Sequence, residues 1–379
     1  MPSTRSTCRS RRPRKRPNRR RNSIEAAAQD HPRDHGRPAP SAVTPRSDTT
    51  IAVLGAGSWG TALAVLLAGN GRRTLLWGRD ARHMARLGAE RRNTRYLPDV
   101  VFPAPLEACA DLGQAVHAAR DVLLAVPSHA FRSLVEQLAP LLRPGHRLAW
   151  ATKGLETGSA KLPHEIVAEL LGSRIPTAVI SGPTFARQVA AGLPAAVTLA
   201  CTFPEFAAAL VASLHGDGFR VYTSDDVIGV ELGGAVKNVL AIAAGIADGM
   251  DCGANTRAAL ITRGLAEMMR LGEALGGKRE TFMGLAGLGD LVLTCTDDES
   301  RNRRLGLALA QGRTLADALR AIGQVVEGVQ TAREVLRLAA KAGVEMPICE
   351  QVYRVLYDGV SPRDAVQALL AREQKPEII

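Results

Sequence analysis

A chain of 379 residues is long enough for two hydrophobic cores and a tail, since single cores stop growing at roughly 250–300 residues. The formal charge of +11 suggests an anionic partner until it is located: residues 1–48 hold 13 Lys+Arg against 4 Asp+Glu, a net of +9, which leaves 11 − 9 = +2 for the rest. The six scattered cysteines, without a C-x-x-C pair or paired histidines, argue against a zinc site, and no apolar run approaches the roughly 18–20 residues of a membrane span or the stretch of a secretory signal, so a soluble cytoplasmic protein with reduced thiols is expected.

Residues 1–48 are rich in Arg, Pro and Ser and nearly devoid of bulky apolar side chains. They cannot bury enough surface to offset ordering entropy and are predicted to be disordered. A basic arm for nucleic acid or acidic lipid is one reading; an extension without function, from a start placed too far upstream, is preferred.

From Thr49 short Val/Leu/Ala runs alternate with helical patterns, the signature of βαβ units and a parallel sheet. Strands are predicted at 51–54, 74–77, 122–126, 147–152, 178–181, 196–200 and 220–223, with helices at 61–68, 81–92, 129–142 and 205–214. Gly55-Ala56-Gly57-Ser58-Trp59-Gly60 follows the first strand and opens a helix, the context in which G-x-G-x-x-G binds a dinucleotide pyrophosphate. Gly55 permits the tight turn, Gly57 lets the phosphates approach the backbone, and Gly60 lets helix and strand pack closely. The second strand ends at Trp77-Gly78-Arg79-Asp80, where an acid selects the ribose 2′-hydroxyl of NAD and an arginine accommodates the 2′-phosphate of NADP. Arg79 comes first and favours NADP, while Asp80 is either a ribose contact or the N-cap of the next helix. Lys153 lies just past the strand 147–152, on the sheet edge where ligands bind in this architecture.

After about Asp226 the strand signals stop. Helices are predicted at 227–250, 256–275, 303–310, 314–322, 329–342, 348–357 and 362–371, an all-helical second domain. The first is apolar nearly all round yet carries Lys237 and Asn238 among small residues, and a buried ammonium costs several kcal/mol unless paired. Lys237 is therefore a catalytic candidate, able to exchange a proton near neutral pH if burial lowers its pKa; the alternative is a snorkelling structural lysine. Gly284-Leu285-Ala286-Gly287-Leu288-Gly289-Asp290 ends in a carboxylate that could partner Lys237, or else sit on a solvated loop. Ser300-Arg301-Asn302-Arg303-Arg304 opens a helix and brings a cap, free N–H groups and guanidinium groups to one spot, an anion site or a solvent-facing basic surface.

Together these strings, with Val126-Pro127-Ser128-His129, Ala151-Thr152-Lys153-Gly154-Leu155-Glu156, Ser181-Gly182-Pro183-Thr184-Phe185-Ala186, Gly233-Gly234-Ala235-Val236-Lys237-Asn238-Val239 and Val325-Val326-Glu327-Gly328, resemble the bacterial NAD(P)-dependent glycerol-3-phosphate dehydrogenase family from about Ile51 to Leu370. The resemblance implies reversible reduction of dihydroxyacetone phosphate to sn-glycerol 3-phosphate for glycerophospholipid synthesis. It implies Lys237 as proton donor, Lys153 polarising the ketone oxygen, and Asp290 steadying Lys237 and a substrate hydroxyl. Gly182, Thr184, Ser300, Arg301 and Asn302 would hold the substrate, the last three near its phosphate. Ser58, Trp59, Arg79, Lys153, Ala186, Arg301, Val325 and Glu327 would touch the cofactor, beside Gly55, Gly57 and Gly60.

The expected fold is α/β: an N-terminal Rossmann-type doubly wound, mainly parallel sheet over 49–225 and a C-terminal all-helical domain of 6-phosphogluconate-dehydrogenase-like type over 226–379. The expected cofactor is NADP, with NAD as the alternative, and the expected partner is the small-molecule substrate. A homodimer is what the resemblance suggests. A 2-hydroxy-acid or 3-hydroxy-acid dehydrogenase would lack use for the 300–304 cluster, and a nucleotide sensor without turnover would lack use for Lys237, Lys153 and Asp290.

Overall fold

The computed structural model describes residues 49–173 and 175–373, which belong to one compact unit; the expected disorder of 1–48 and the thiol of Cys8 lie outside them. The chain runs β1 (Ile51–Leu54), α1 (Ser58–Gly69), β2 (Thr74–Trp77), α2 (Ala81–Glu90), β3 (Arg92–Asn93), β4 (Leu97–Val101), β5 (Leu106–Cys109), α3 (Leu112–His117) and β6 (Asp121–Leu124). It continues through α4 (Ser128–Leu138), β7 (Arg147–Trp150), α5 (Pro163–Leu171), β8 (Thr177–Ser181), α6 (Ala186–Ala190), β9 (Ala195–Cys201), α7 (Pro204–Leu214) and β10 (Phe219–Ser224). Among the described residues only helices follow: α8 (Val227–Gly249), α9 (Gly253–Ala274), α10 (Arg279–Met283), a π-helical turn (Leu285–Gly289), α11 (Asp290–Thr296), α12 (Arg301–Ala310), α13 (Leu315–Ile322), α14 (Glu327–Ala342), α15 (Pro347–Tyr357) and α16 (Pro362–Leu370).

Eight strands form one sheet in the order β10-β9-β8-β7-β6-β1-β2-β5, parallel except where β9 runs antiparallel to β8. Strands β1, β2 and β6 are buried at every position because helices cover both faces, which is why they read as continuous apolar runs. β1 pairs with β2 on one side and β6 on the other, so the order reverses beside it. That switch point is where α/β sheets bind ligands. Arg147 grips Asp121 with two hydrogen bonds of 2.6 and 2.7 Å at the start of β7 and β6, a two-pronged pairing that fixes their register.

The predicted strands and helices occur with ends shifted by a few residues, and β5 and the small antiparallel pair β3–β4 are additions that the sequence patterns did not signal. The glycine-rich stretch before Asp290, for which a solvated loop is the alternative to a partner for Lys237, is a π-helical turn leading directly into α11. Helix α8 is buried at every residue from Gly229 to Ala247, packed against α9, α11, α12 and α14. It has the length and apolarity of a membrane span, contrary to the expectation that no segment approaches one; here that apolar surface is covered by protein and forms the centre of the helical core.

Candidate active site

The turn after β1 is built around three glycines with different duties. Gly55 has φ +125°, and a Cβ there would lie 2.6 Å from the carbonyl oxygen of Ala125. At Gly60 a Cβ would stand 1.9 Å from the carbonyl oxygen of Gly55, so strand and helix touch backbone to backbone. A Cβ on Gly57 would meet nothing within 4 Å. That open position at the N-terminus of α1, with no side-chain cap on its N–H groups, fits a pyrophosphate. Trp59 Nε1 is buried without a hydrogen-bond partner, a donor left over at the same turn. Asn93 on β3 donates to Ala56 O at 3.1 Å and to Thr61 Oγ1 at 2.8 Å, pinning the β3–β4 pair to this turn. Asp80 caps α2, accepting from His83 N at 3.1 Å, while Arg79 is exposed.

Lys237, Lys153 and Asp290 come together. Asp290 is 1% exposed, and its Oδ1 accepts from Lys237 Nζ at 2.5 Å while its Oδ2 accepts from Lys153 Nζ at 2.7 Å. Lys237 also donates to Thr294 Oγ1 at 2.8 Å, and Thr294 in turn donates to the Asp290 carbonyl at 2.6 Å. Lys153 donates in addition to Gly182 O at 3.1 Å. The approach depends on Gly233 of α8, where a Cβ would lie 2.6 Å from Ala286 O and 3.4 Å from Gly287 Cα, while Gly287 lets the turn close on α10, a Cβ there lying 2.1 Å from Phe282 O. The π turn therefore packs flat against α8 and delivers Asp290 to Lys237. Burial pulls the Lys237 pKa down from 10.5 to about 8; the Asp290 charge opposes that fall and the Lys153 charge adds to it. Asp290 is thus no solvated loop residue, and Lys237 does not snorkel.

At the start of α12 the structure separates what the sequence groups. Ser300 is the N-cap, its Oγ accepting from Arg303 N at 3.2 Å, which leaves its own O–H free to donate. Asn302 donates to Asn238 Oδ1 and accepts from Gly328 N, both at 2.9 Å, so it ties α8, α12 and α14 together. Arg303 is held by Asp248 at 2.7 Å, by Asp298 and by Cys295 O; it is structural. Arg301 has a pKa lowered by burial and raised by the charge of Glu327. Glu327 in turn is pushed up by burial, while Ser128 Oγ donates to it at 2.7 Å. Val325 nearby is 41% exposed. Thr184 donates to Gly182 O at 3.2 Å, and Ala186 opens α6.

Sequence reasoning missed Thr294 and Ser128. Thr294 stands four residues after Asp290, a helical-face spacing hidden because the stretch read as a loop. Ser128 lay within a noted string but gained its role only by meeting Glu327 across 199 positions. The five described cysteines are free thiols, and no cluster of metal-binding side chains occurs among the described residues.

Residues 50–207 match the family described as NAD-dependent glycerol-3-phosphate dehydrogenase N-terminus, and residues 226–367 its C-terminus. The chain is 63% identical over 325 residues to the glycerol-3-phosphate dehydrogenase [NAD(P)+] of Nitrosococcus oceani, covering 86% of this chain and 94% of that one. It is 59% identical over 328 residues to the protein of that name from Aeromonas hydrophila, covering 86% and 98%. The crystal structure of the Coxiella burnetii glycerol-3-phosphate dehydrogenase superposes with a TM-score of 0.83 at 53% identity, covering 86% of this chain and 99% of that one. The chain belongs to the NAD-dependent glycerol-3-phosphate dehydrogenase family.

Proposed function

We propose that this chain catalyses reversible hydride transfer between NAD(P)H and dihydroxyacetone phosphate, giving sn-glycerol 3-phosphate for glycerophospholipid synthesis. The observation that carries the reading is the buried Lys237–Asp290–Lys153 bridge. The nicotinamide, when bound, supplies or accepts the hydride. Gly55, Gly57, Ser58, Trp59 and Gly60 hold the dinucleotide at the end of β1, and Lys153, Ala186, Arg301, Val325 and Glu327 complete its site. Arg79 beside β2 favours the 2′-phosphate of NADP, because the Asp80 carboxylate is engaged as a helix cap; NAD is the alternative.

With its pKa near 8, Lys237 is mostly protonated at neutral pH and gives a proton to the ketone oxygen in reduction, taking it back in oxidation. Lys153 adds positive charge where the alkoxide develops. Asp290 orients both ammonium groups and a substrate hydroxyl, and Gly182 and Thr184 line the same spot. Ser300, Arg301 and Asn302 take the substrate phosphate, Arg301 with its guanidinium and Ser300 with its remaining O–H. Residues 49–225 serve the dinucleotide and residues 226–379 the substrate. On the same reading the protein works in the cytoplasm as a homodimer, without a membrane span and without nucleic acid.

NADPH consumption by purified protein offered dihydroxyacetone phosphate or unphosphorylated dihydroxyacetone tests the phosphate role. A strong preference for the phosphate ester is expected; equal rates would refute the clamp. Lys237→Ala should abolish turnover and keep cofactor binding, and an active variant would remove Lys237 from its role.

A further inference from the structure

A second buried cluster lies away from the lysines. Glu231, 3% exposed in the second turn of α8, accepts three hydrogen bonds: from Trp150 Nε1 at 2.8 Å, from His164 N at 3.0 Å and from His164 Nδ1 at 2.5 Å. Trp150 ends β7 and is fully buried. His164 is the second residue of α5, where a helix leaves its backbone N–H unpaired and favours a negative partner. Three elements meet on one carboxylate.

Their positions matter for the reacting groups. Lys153 follows Trp150 by three residues, and Lys237 follows Glu231 by six residues, about 9 Å along the helix. Between them Gly233 and Gly234 give α8 no side chain with which to hold its place, and a Cβ on Gly234 would lie 3.4 Å from Lys153 Cγ. At the far end two ammonium groups share the single carboxylate of Asp290. At 2.5 and 2.7 Å each ammonium is attracted to that carboxylate, which draws α8 and the end of β7 together, but long flexible lysine side chains do not by themselves fix the register of the two elements. A fixed point elsewhere is required to hold them in register.

We propose that Glu231 is a positioning residue for hydride transfer: through Trp150 and His164 it locks α8 onto β7 and α5, so that Lys237 and Lys153 meet across Asp290. The inference rests on the proposed roles of those lysines. A buried carboxylate serving only folding would leave turnover per folded molecule unchanged when its partners are trimmed; one that sets lysine geometry would not, since misplacement of about 1 Å costs up to about a hundredfold in rate.

The test is steady-state kinetics, normalised to folded protein by NADPH binding, for Trp150→Phe, Glu231→Gln, Glu231→Leu and Lys237→Ala. Trp150→Phe keeps the core filled and removes one donor; its kcat should fall about tenfold with KM for the substrate and affinity for NADPH unchanged. Glu231→Gln still accepts from Trp150 and should retain kcat within about threefold, whereas Glu231→Leu, where it folds, should lose about a hundredfold. Wild-type kcat in Trp150→Phe, equal losses in Glu231→Gln and Glu231→Leu, or a matched loss of cofactor affinity would overturn the proposal. An active Lys237→Ala would instead overturn the underlying assignment of the site, so the two failures are distinct.

Discussion

Replacing Asp290 by Asn keeps the shape of the side chain and one acceptor oxygen but removes the charge between two lysines at 2.5 and 2.7 Å. At an effective dielectric of about 20, each such pair is worth at most about 6 kcal/mol, and stripping the partner from a buried charge costs about 3–5 kcal/mol. Because the amide still accepts, about 3 kcal/mol is the working figure. The cheapest response is for Lys237 to give up its proton. At 1.36 kcal/mol per pKa unit its pKa falls by roughly two units, from about 8 to near 6. At pH 7 the protonated fraction drops from about 90% to about 10%, which alone lowers ketone reduction about tenfold. The assay is NADPH oxidation between pH 5 and 10, with NADPH binding as a check on folding. The alkaline limb of the Asp290→Asn profile should move toward acid; a limb left near pH 8 would refute the claim that Asp290 holds the Lys237 proton.

Other outcomes follow from the same geometry. Gly57→Ala should leave the melting temperature within a degree or two, since a Cβ meets nothing there, and weaken NADPH binding, whereas Gly60→Ala, with backbone 1.9 Å away, should prevent a stable fold; similar melting curves for both would count against the turn's assigned duties. Arg79→Gln should reduce affinity for NADPH and spare NADH, read by titrating both cofactors. Glu267 sits beneath the N-terminus of α15, accepting from Ile348 N at 2.6 Å, and burial raises its pKa from 4.5 to about 7. The folded chain therefore keeps a proton between these values that the unfolded chain releases, so this group's stabilisation is full below pH 4.5 and is lost as pH rises to about 7. Glu267→Gln should flatten that decline in thermal melts; an unchanged slope would mean that Glu267 does not titrate there.

The features most legible in the sequence were those that break a local rule. Three glycines at fixed spacing after an apolar strand have few structural uses, and a lysine inside an apolar helix demands a partner. The setting of Asp290 was harder to read, because a glycine-rich π turn has no periodicity to distinguish it from a loop, and with that turn unread Thr294 stayed hidden one helical turn beyond. Strand β5 spans only Leu106–Cys109, buried at its two ends and open between them, so it shows no alternation, and β4 contains Pro98, which weakens any strand pattern. Within the 300–304 cluster, the residues alone show a cap and guanidinium groups but not which side chains are struts. Only tertiary structure shows that Arg303 is committed to Asp248, and that Asn302 places one amide N–H on Asn238 and its carbonyl on Gly328, with the other N–H left for a ligand.

The burial of α8 has a consequence for how such an enzyme can be redesigned. The helix that presents Lys237 is also the hub around which the helical half is assembled, so any substitution near the lysine is a core substitution first and a change of chemistry second. Room to alter the site lies at the rim instead, at exposed positions such as Arg79 and Val325, where side chains can be exchanged without reopening the hub. Variant libraries confined to that rim should yield folded proteins far more often than libraries aimed at α8.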